Sequence, residues 1–335
     1  MNLNERINVF SKLGDILRED FFGKYSDVIL KAELNNPFFT SCQIRKSIDY
    51  WSEHLVFDNL ESWIKPYNIN NLKTRKKVLL IMAGNIPLVG LHDLLCVLIC
   101  GYKVVIKMSS KDNILITMFL DILCSIDVRL KNSIKLIEDI NEKKIDALIC
   151  TGNDNTAKYF EYYFRDVKKI IRNNRTSIAI IDGLESSEQL NGLSNDILSY
   201  FGLGCRNVSK LFIPKDYDLN NIFNALYHYN ETCMNHQKYM NNYDYNRSIL
   251  LMGSQKFLDN SFLLLKNDSS LFSPVSMLYY EYYSNPENIS EYISSHSDKI
   301  QCIISSKDIL FGESQNPNLW SYADNIDTID FLRSI

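Results

Sequence analysis

The sequence contains no run of basic residues, no apolar stretch long enough to cross a bilayer, and no cluster of cysteines at metal-binding spacing. Each absence removes a class of function. With 36 Lys+Arg against 40 Asp+Glu and a formal net charge of -4, the chain has no block of positive charge to neutralise phosphates, so nucleic acid is not an expected partner. The best candidate span, residues 88–100, is interrupted by His92 and Asp93 and falls short of the ~20 residues that a membrane helix needs. The opening Met1-Asn2-Leu3-Asn4-Glu5-Arg6 lacks the basic region and apolar core of a signal peptide, and the expected location is cytoplasmic. Eight cysteines lie scattered at 42, 96, 100, 124, 150, 205, 233 and 302, with no Cys-x-x-Cys and no cysteine–histidine cluster of zinc-finger type. Free thiols in a reducing compartment fit this pattern, and no metal is expected. Internal repeats and low-complexity linkers are missing too.

What is present suits an enzyme with two lobes and a cleft. At 335 residues, with 46% hydrophobic and 23% charged, the chain exceeds one simple core. Ile7, Phe10, Leu13, Leu17, Phe21 and Phe22 recur at helical spacing and predict an amphipathic helix from residue 3 to about 32. Two further helical regions follow, one carrying Ile44, Ile48, Trp51 and Leu55, the other carrying Leu60 and Trp63 and ending near Pro66. The unbroken apolar run from Val78 to Met82 then reads as a strand buried on both faces of a parallel sheet. From there helices at 88–100, 114–126 and 155–164 alternate with strands at 103–108, 134–137, 147–150, 169–171 and 177–181. This alternation predicts a Rossmann-like, doubly wound α/β domain with binding loops at the carboxyl ends of its strands: Ala83-Gly84-Asn85, Ser109-Ser110 and Thr151-Gly152-Asn153. A smaller α/β catalytic domain is expected to begin near Ser199, with a helix at 222–229, a strand at 248–252 and an apolar run at 275–280. The expected division is 1–198, 199–315, and a polar segment 316–335 to which composition assigns no role.

One stretch carries candidate chemistry: Gly202-Leu203-Gly204-Cys205-Arg206-Asn207-Val208, followed by the apolar strand start Leu211-Phe212-Ile213. Glycines ahead of Cys205 permit backbone angles that let a substrate carbon reach the sulfur and let the cysteine N–H point at a developing oxyanion. Taken alone, a cysteine after Gly-x-Gly is more often a buried small residue in a tight turn.

Three stretches in order resemble the aldehyde dehydrogenase superfamily and, within it, the fatty acyl-CoA reductase family of bacterial luminescence. They are Met82-Ala83-Gly84-Asn85-Ile86-Pro87-Leu88, Val104-Val105-Ile106-Lys107-Met108-Ser109-Ser110, and the cysteine turn. The likeness extends through Cys150-Thr151-Gly152-Asn153, Arg172-Asn173-Asn174-Arg175-Thr176-Ser177 and Phe272-Ser273-Pro274-Val275, and so covers most of the chain from about residue 36. The resemblance implies an aldehyde-dehydrogenase-like fold and Cys205 as a nucleophile forming a thioester. It also implies Asn85 as an oxyanion donor beside the Cys205 N–H, where the residues alone allow a turn or helix-cap asparagine. Lys107, Gly152 and Asn153 fall on the cofactor side. NAD-preferring relatives often carry a glutamate three residues after the lysine, which holds the ribose hydroxyls and repels a 2′-phosphate; this chain has Ser110, with Lys111 beside it, so the resemblance implies NADP(H). Gly-x-Gly-x-x-Gly is missing, and the superfamily holds its dinucleotide without it.

Two departures from the hydrolysing members narrow the reaction. Their general-base glutamate has no counterpart in Arg172-Asn173-Asn174-Arg175-Thr176-Ser177, and a second glutamate is replaced by Leu271 ahead of Phe272-Ser273-Pro274. Without a carboxylate to activate water, exchange of a thioester with CoA is favoured over hydrolysis. The expected reaction is reduction of a fatty acyl-CoA to the aldehyde with NADPH; the alternative is an acyl-binding or acyl-transfer subunit that forms the thioester without reducing it. Arg206 is readable as a group that assists thiolate formation, binds CoA phosphate or faces solvent. Arg172 and Arg175 are readable as phosphate ligands or as partners of acidic side chains. His92 reads as a hydrogen-bonded core histidine, and the other seven cysteines as packing residues. A homo-oligomer or a partner subunit stays open.

Overall fold

The computed structural model describes residues 1–69, 76–140, 144–152 and 154–335. Contacts divide the chain into one unit of residues 1–174 and 318–335 and another of residues 175–317. The first opens with α1 (Leu3–Arg18), α2 (Phe21–Lys24), α3 (Ser26–Asn35), α4 (Ser41–His54) and α5 (Phe57–Ile64). The single helix expected over the first thirty or so residues is thus three, because Asp20 starts a new helix by accepting from Gly23 N at 3.0 Å. The apolar stripe of α1 still holds, with Ile7, Phe10, Leu13 and Leu17 buried.

The apolar run after Lys76 forms β1 (Lys77–Ile81), followed by α6 (Leu91–Ile99), β2 (Lys103–Lys107), α7 (Asn113–Ile126), β3 (Ile134–Leu136), β4 (Ala147–Thr151), α8 (Asp154–Tyr163) and β5 (Lys168–Arg172). The strands form a sheet of order β3-β2-β1-β4-β5 with every pair parallel. Val78 and Leu80 enter the core on one face of this sheet, and Leu79 and Ile81 the core on the other, which is why β1 has no polar alternation. The strand order reverses between β1 and β4, so the loops at their carboxyl ends, leading into Asn85 and Gly152, flank the switch point where such sheets bind ligands.

The polar-looking end of the chain belongs to this unit. Leu319, Tyr322, Ile329 and Leu332 are buried in its core, Trp63 Nε1 donates to Tyr322 Oη at 2.9 Å, and Tyr67 Oη donates to Asp327 Oδ2 at 2.7 Å.

The second unit contains β6 (Thr176–Ile180), α9 (Ser187–Leu198), β7 (Val208–Pro214), α10 (Asn220–Leu226), α11 (Asn230–Met234), α12 (Gln237–Met252), β8 (Leu258–Asp259), β9 (Leu264–Asn267), β10 (Met277–Tyr283), α13 (Pro286–Ser295) and β11 (Ile300–Ile304). Its sheet runs β11-β6-β7-β10-β9-β8, parallel except where β8 meets β9. The boundary therefore lies at 174/175 and not at 198/199: β6 looks in sequence like one more strand of the first sheet, but its partners are β7 and β11. The strand expected at 248–252 is the last turn of α12. Of its apolar run Ile249-Leu250-Leu251-Met252 only Leu250 is buried, completing a helical stripe with Tyr239, Tyr243 and Asn246.

Candidate active site

Cys205 sits on a tight turn just before β7. The turn closes through Asn207 N donating to Gly204 O at 3.0 Å, and Cys205 is half-buried within it. The Asn207 side chain, 2% exposed, locks this geometry: Oδ1 accepts from Gly204 N at 2.8 Å, while Nδ2 donates to Ser199 O at 2.8 Å and to Asp196 O at 3.0 Å. Ser177 Oγ on β6 donates to Cys205 O at 3.0 Å from the other side. The approach to the turn is backbone-strained, since Tyr200, Phe201 and Gly202 are consecutive left-handed residues with φ of 51°, 56° and 74°. Only the glycine takes this conformation cheaply; the two buried aromatics hold it through packing, Phe201 against His236 and Tyr239. The glycine-rich turn expected around Cys205 is therefore present, and its rigidity comes from Asn207.

In the first unit, Asn85 lies half-buried in the loop between β1 and α6. The loop is docked on the turn that follows β2. A Cβ placed on Gly84 would come within 2.5 Å of Ser109 Oγ and 2.7 Å of Ser109 Cβ, so no side chain fits there. Four residues on, Leu88 N donates to Asp112 Oδ2 at 2.7 Å, and Ser47 Oγ on α4 donates to Pro87 O at 2.9 Å. Lys107 ends β2 half-exposed, and its carbonyl accepts from Met82 N at 3.0 Å. Ser110 and Lys111 are exposed, their carbonyls accepting from Asn35 Nδ2 at 2.9 Å and Asn36 Nδ2 at 3.3 Å. The Asn85 loop, Lys107 and Ser110 are thus brought together at the carboxyl ends of β1 and β2. Gly152 follows β4, donating its N–H to Arg172 O at 3.2 Å, whereas Asn153 lies outside the described residues.

The sequence model of the acyl-CoA reductase (LuxC) family matches residues 56–226, more than half of the chain. The chain belongs to the LuxC acyl-CoA reductase family. Solved structures with the same fold include an aldehyde dehydrogenase from Bacillus cereus in complex with NAD+, at 13% identity and TM-score 0.64, covering 91% of this chain and 72% of that one. A Mycobacterium tuberculosis aldehyde dehydrogenase complexed with NAD+ gives 11% identity and TM-score 0.63, covering 91% of this chain and 73% of that one. No curated protein sequence matches. The fold is that of the aldehyde dehydrogenases, carried here by a member of the acyl-CoA reductase family.

The three arginines sit in different settings in this family member. Arg172, 4% exposed, forms a two-pronged ion pair with Asp93 of α6 at 2.6 and 3.2 Å and also donates to Thr328 Oγ1 and Ala323 O. Burial pushes the Asp93 carboxyl up, but the Arg172 guanidinium more than offsets it and leaves the group below its ordinary value. Of the two roles open to Arg172, pairing with an acidic side chain is the one its guanidinium has, and the phosphate role is withdrawn. Arg175 donates to Ser297 O and Ile300 O, tying β6 to the start of β11. Arg206 Nη1 reaches Cys302 Sγ at 3.1 Å.

Burial pushes the thiols of Cys100, Cys150 and Cys233 up to about 12, and Cys96 and Cys302 are raised as well, with Arg206 partly offsetting the effect at Cys302. Such groups are poor nucleophiles. His92 Nε2 donates to Leu319 O at 2.8 Å and its ring lies against Trp63 and Tyr322, a core histidine as its helical position predicts.

Sequence reasoning missed the residues that shape these loops. Lys210 on β7 is fully buried, and its ammonium donates to the carbonyls of Asp268, Ser269 and Ser270 at 3.0, 2.8 and 3.3 Å while pairing with Glu281. Together with Ser209 Oγ, which donates to Leu271 O at 2.7 Å, it fixes the segment leading into Phe272-Ser273-Pro274. A lysine in the strand Val208–Pro214, directly ahead of Leu211-Phe212-Ile213, was the available signal. Among the described residues no group of acidic, histidine and cysteine side chains could hold a metal, and no helix is long and apolar enough to cross a membrane.

Proposed function

We propose that the chain reduces a fatty acyl-CoA to the aldehyde with NADPH, through an acyl thioester on Cys205. The observation that carries this reading is the Cys205 turn itself: a half-buried cysteine held in a turn locked by buried Asn207, in a member of the acyl-CoA reductase family whose buried thiols are pushed out of the nucleophilic range.

In this reading the Cys205 thiolate attacks the acyl carbonyl, the carbonyl oxygen becomes an oxyanion, and its collapse breaks the bond to the CoA sulfur. CoA leaves as the thiolate and the acyl group stays on Cys205. The family resemblance assigns the Asn85 amide and the Cys205 N–H as donors to the oxyanion, each such donor lowering the barrier on the order of 3 kcal/mol. When bound, NADPH supplies the hydride that takes the thioester to the aldehyde level. Collapse of the resulting thiohemiacetal then returns the thiolate to Cys205 and releases the aldehyde. Because the segment from Arg172 to Ser177 has no carboxylate, the thioester has no general base there to direct water onto it.

The residues after β2 suit a nucleotide carrying a 2′-phosphate. Lys107, Ser110 and Lys111 offer two cations and a hydroxyl, and the one carboxylate in the turn, Asp112, is buried and bonded to Leu88 N. Lys107, Ser110, Gly152 and Asn153 are proposed as cofactor ligands, and Arg206 and Arg175, beside the bonds they already make, as ligands of CoA phosphate. The test is nucleotide oxidation driven by a long-chain acyl-CoA, with the aldehyde trapped as a hydrazone. NADPH should be oxidised faster than NADH at equal low concentration. Ser110→Glu should narrow that preference by on the order of tenfold or more, since a unit charge at 4 Å from another in a partly screened site is worth about 4 kcal/mol. No turnover with either nucleotide, in a protein that still acylates at Cys205, would make it an acyl-transfer subunit.

A further inference from the structure

Asp112 has an environment that neither its position nor the proposed chemistry accounts for. It precedes α7 as its N-cap residue, where an aspartate normally accepts from the first turn of the helix, yet it makes no such cap bond. Its side chain turns the other way. Oδ2 accepts from Leu88 N at 2.7 Å, and Oδ1 is buried with no hydrogen-bond partner among the described residues. The residue is 2% exposed, and burial pushes its carboxyl well above the usual range, with the Leu88 N–H only partly offsetting that. A cap bond is given up and a carboxyl buried in order to hold one backbone N–H.

That N–H belongs to a strained residue. Leu88 has φ of 59°, a left-handed conformation that costs a branched side chain about 1–2 kcal/mol, and it is buried. It closes the loop Asn85-Ile86-Pro87-Leu88, three residues after Asn85. The other end of the loop is seated on the same turn, since the Cα of Gly84 lies so close to Ser109 and Asp112 that a Cβ there would come within 2.5 Å of Ser109 Oγ and 3.2 Å of Asp112 Cβ. Both ends of the loop are therefore referenced to residues 109–112, which also carry Ser110.

We infer that Asp112 is a positioning residue for Asn85: by accepting from Leu88 N it holds the strained loop so that the Asn85 amide stays in register with the cofactor turn. This inference rests on the reading of Asn85 as an oxyanion donor.

The experiment is a double-mutant cycle on the rate of acyl-adduct formation with saturating palmitoyl-CoA, followed by intact-protein mass spectrometry on wild type, Asp112→Ala, Asp112→Asn, Asn85→Ala and the Asn85→Ala/Asp112→Ala pair. Asp112→Ala is expected to slow acylation at saturation on the order of 10- to 100-fold while the half-saturating concentration changes little. Asp112→Asn, which keeps an acceptor for Leu88 N, is expected to recover most of that loss. In the Asn85→Ala background the Asp112→Ala change should cost nothing further, because a residue acting through Asn85 has nothing left to position. Should the alanine variant not fold, Asp112→Ser, too short to reach Leu88, takes its place in the cycle. Equal slowing by Asp112→Ala with and without Asn85, or lost affinity at an intact rate, overturns the inference. A native rate in Asn85→Ala removes the oxyanion reading itself, and the role of Asp112 with it.

Discussion

Asn207 and Cys205 are two positions apart, and the turn between them depends on one amide side chain. Replacing Asn207 with alanine strands the Gly204 N–H and the carbonyls of Ser199 and Asp196, all drawn together by that amide. Leaving buried polar groups unpaired costs roughly 1–3 kcal/mol each where water cannot reach them, so Asn207→Ala should lower the unfolding free energy by about 2–4 kcal/mol in denaturant titrations. It should also slow acylation at Cys205 with the nucleophile untouched. Acylation at the wild-type rate in a folded Asn207→Ala protein would show that the turn needs no such lock. The tight turn at Cys205 was legible in the sequence from Gly-x-Gly-Cys, whereas the roles proposed for Cys205, Asn85 and Lys107 come from the family resemblance. Asn207 was not, although asparagine in a tight turn is the residue type that bonds neighbouring backbone. Asp112 was hidden more thoroughly, because Asp-Asn ahead of an apolar helix reads as an ordinary cap.

At the scale of elements, α6 and β5 are joined by the Asp93–Arg172 pair, which also reaches Thr328 at the start of the terminal helix Thr328–Arg333 (α14). Removing one partner of a buried pair leaves an uncompensated charge, so Asp93→Asn should cost about 3–5 kcal/mol near neutral pH. The pH dependence has a definite sign. The Asp93 carboxyl is held below its ordinary value in the folded chain, so its contribution is complete above the unfolded carboxylate pKa of about 3.9 and is lost as pH falls through the lower folded value. The stability gap between wild type and Asp93→Asn should therefore narrow as the pH drops below about 4, in thermal melts taken across that range. A gap that stays constant would mean that Asp93 does not titrate with folding. Helix and strand periodicity predicted these two elements well, because α6 is apolar almost throughout and β5 lies between charged ends. It failed at α12, where four apolar residues in a row look like a strand although three of them face outward at the end of a helix stabilised along a different stripe.

For the whole molecule, the alternation of strands and helices was enough to predict the parallel sheet of the first unit, since all its pairings but that of β1 with β4 join strands consecutive in sequence. The second sheet was far less legible. Two of its pairings, β7 with β10 and β6 with β11, join strands far apart in the chain, and nothing local at residues 176–180 records that β11 will pair there. The terminal segment misled for a related reason: its apolar residues Leu319, Tyr322, Ile329 and Leu332 are diluted among polar ones, and only the fold shows them entering a core built from residues far earlier in the chain, such as Trp63 and Tyr102. The central claim concerns a single bond formed by this fold, the thioester on Cys205. Its most direct measurement is the intact mass of the protein after incubation with palmitoyl-CoA in the absence of nucleotide. The wild-type protein should gain one acyl group, and Cys205→Ser, whose hydroxyl is a far weaker nucleophile than a thiolate, should gain none. An adduct formed in equal yield by Cys205→Ser would place the chemistry on another residue and contradict the account.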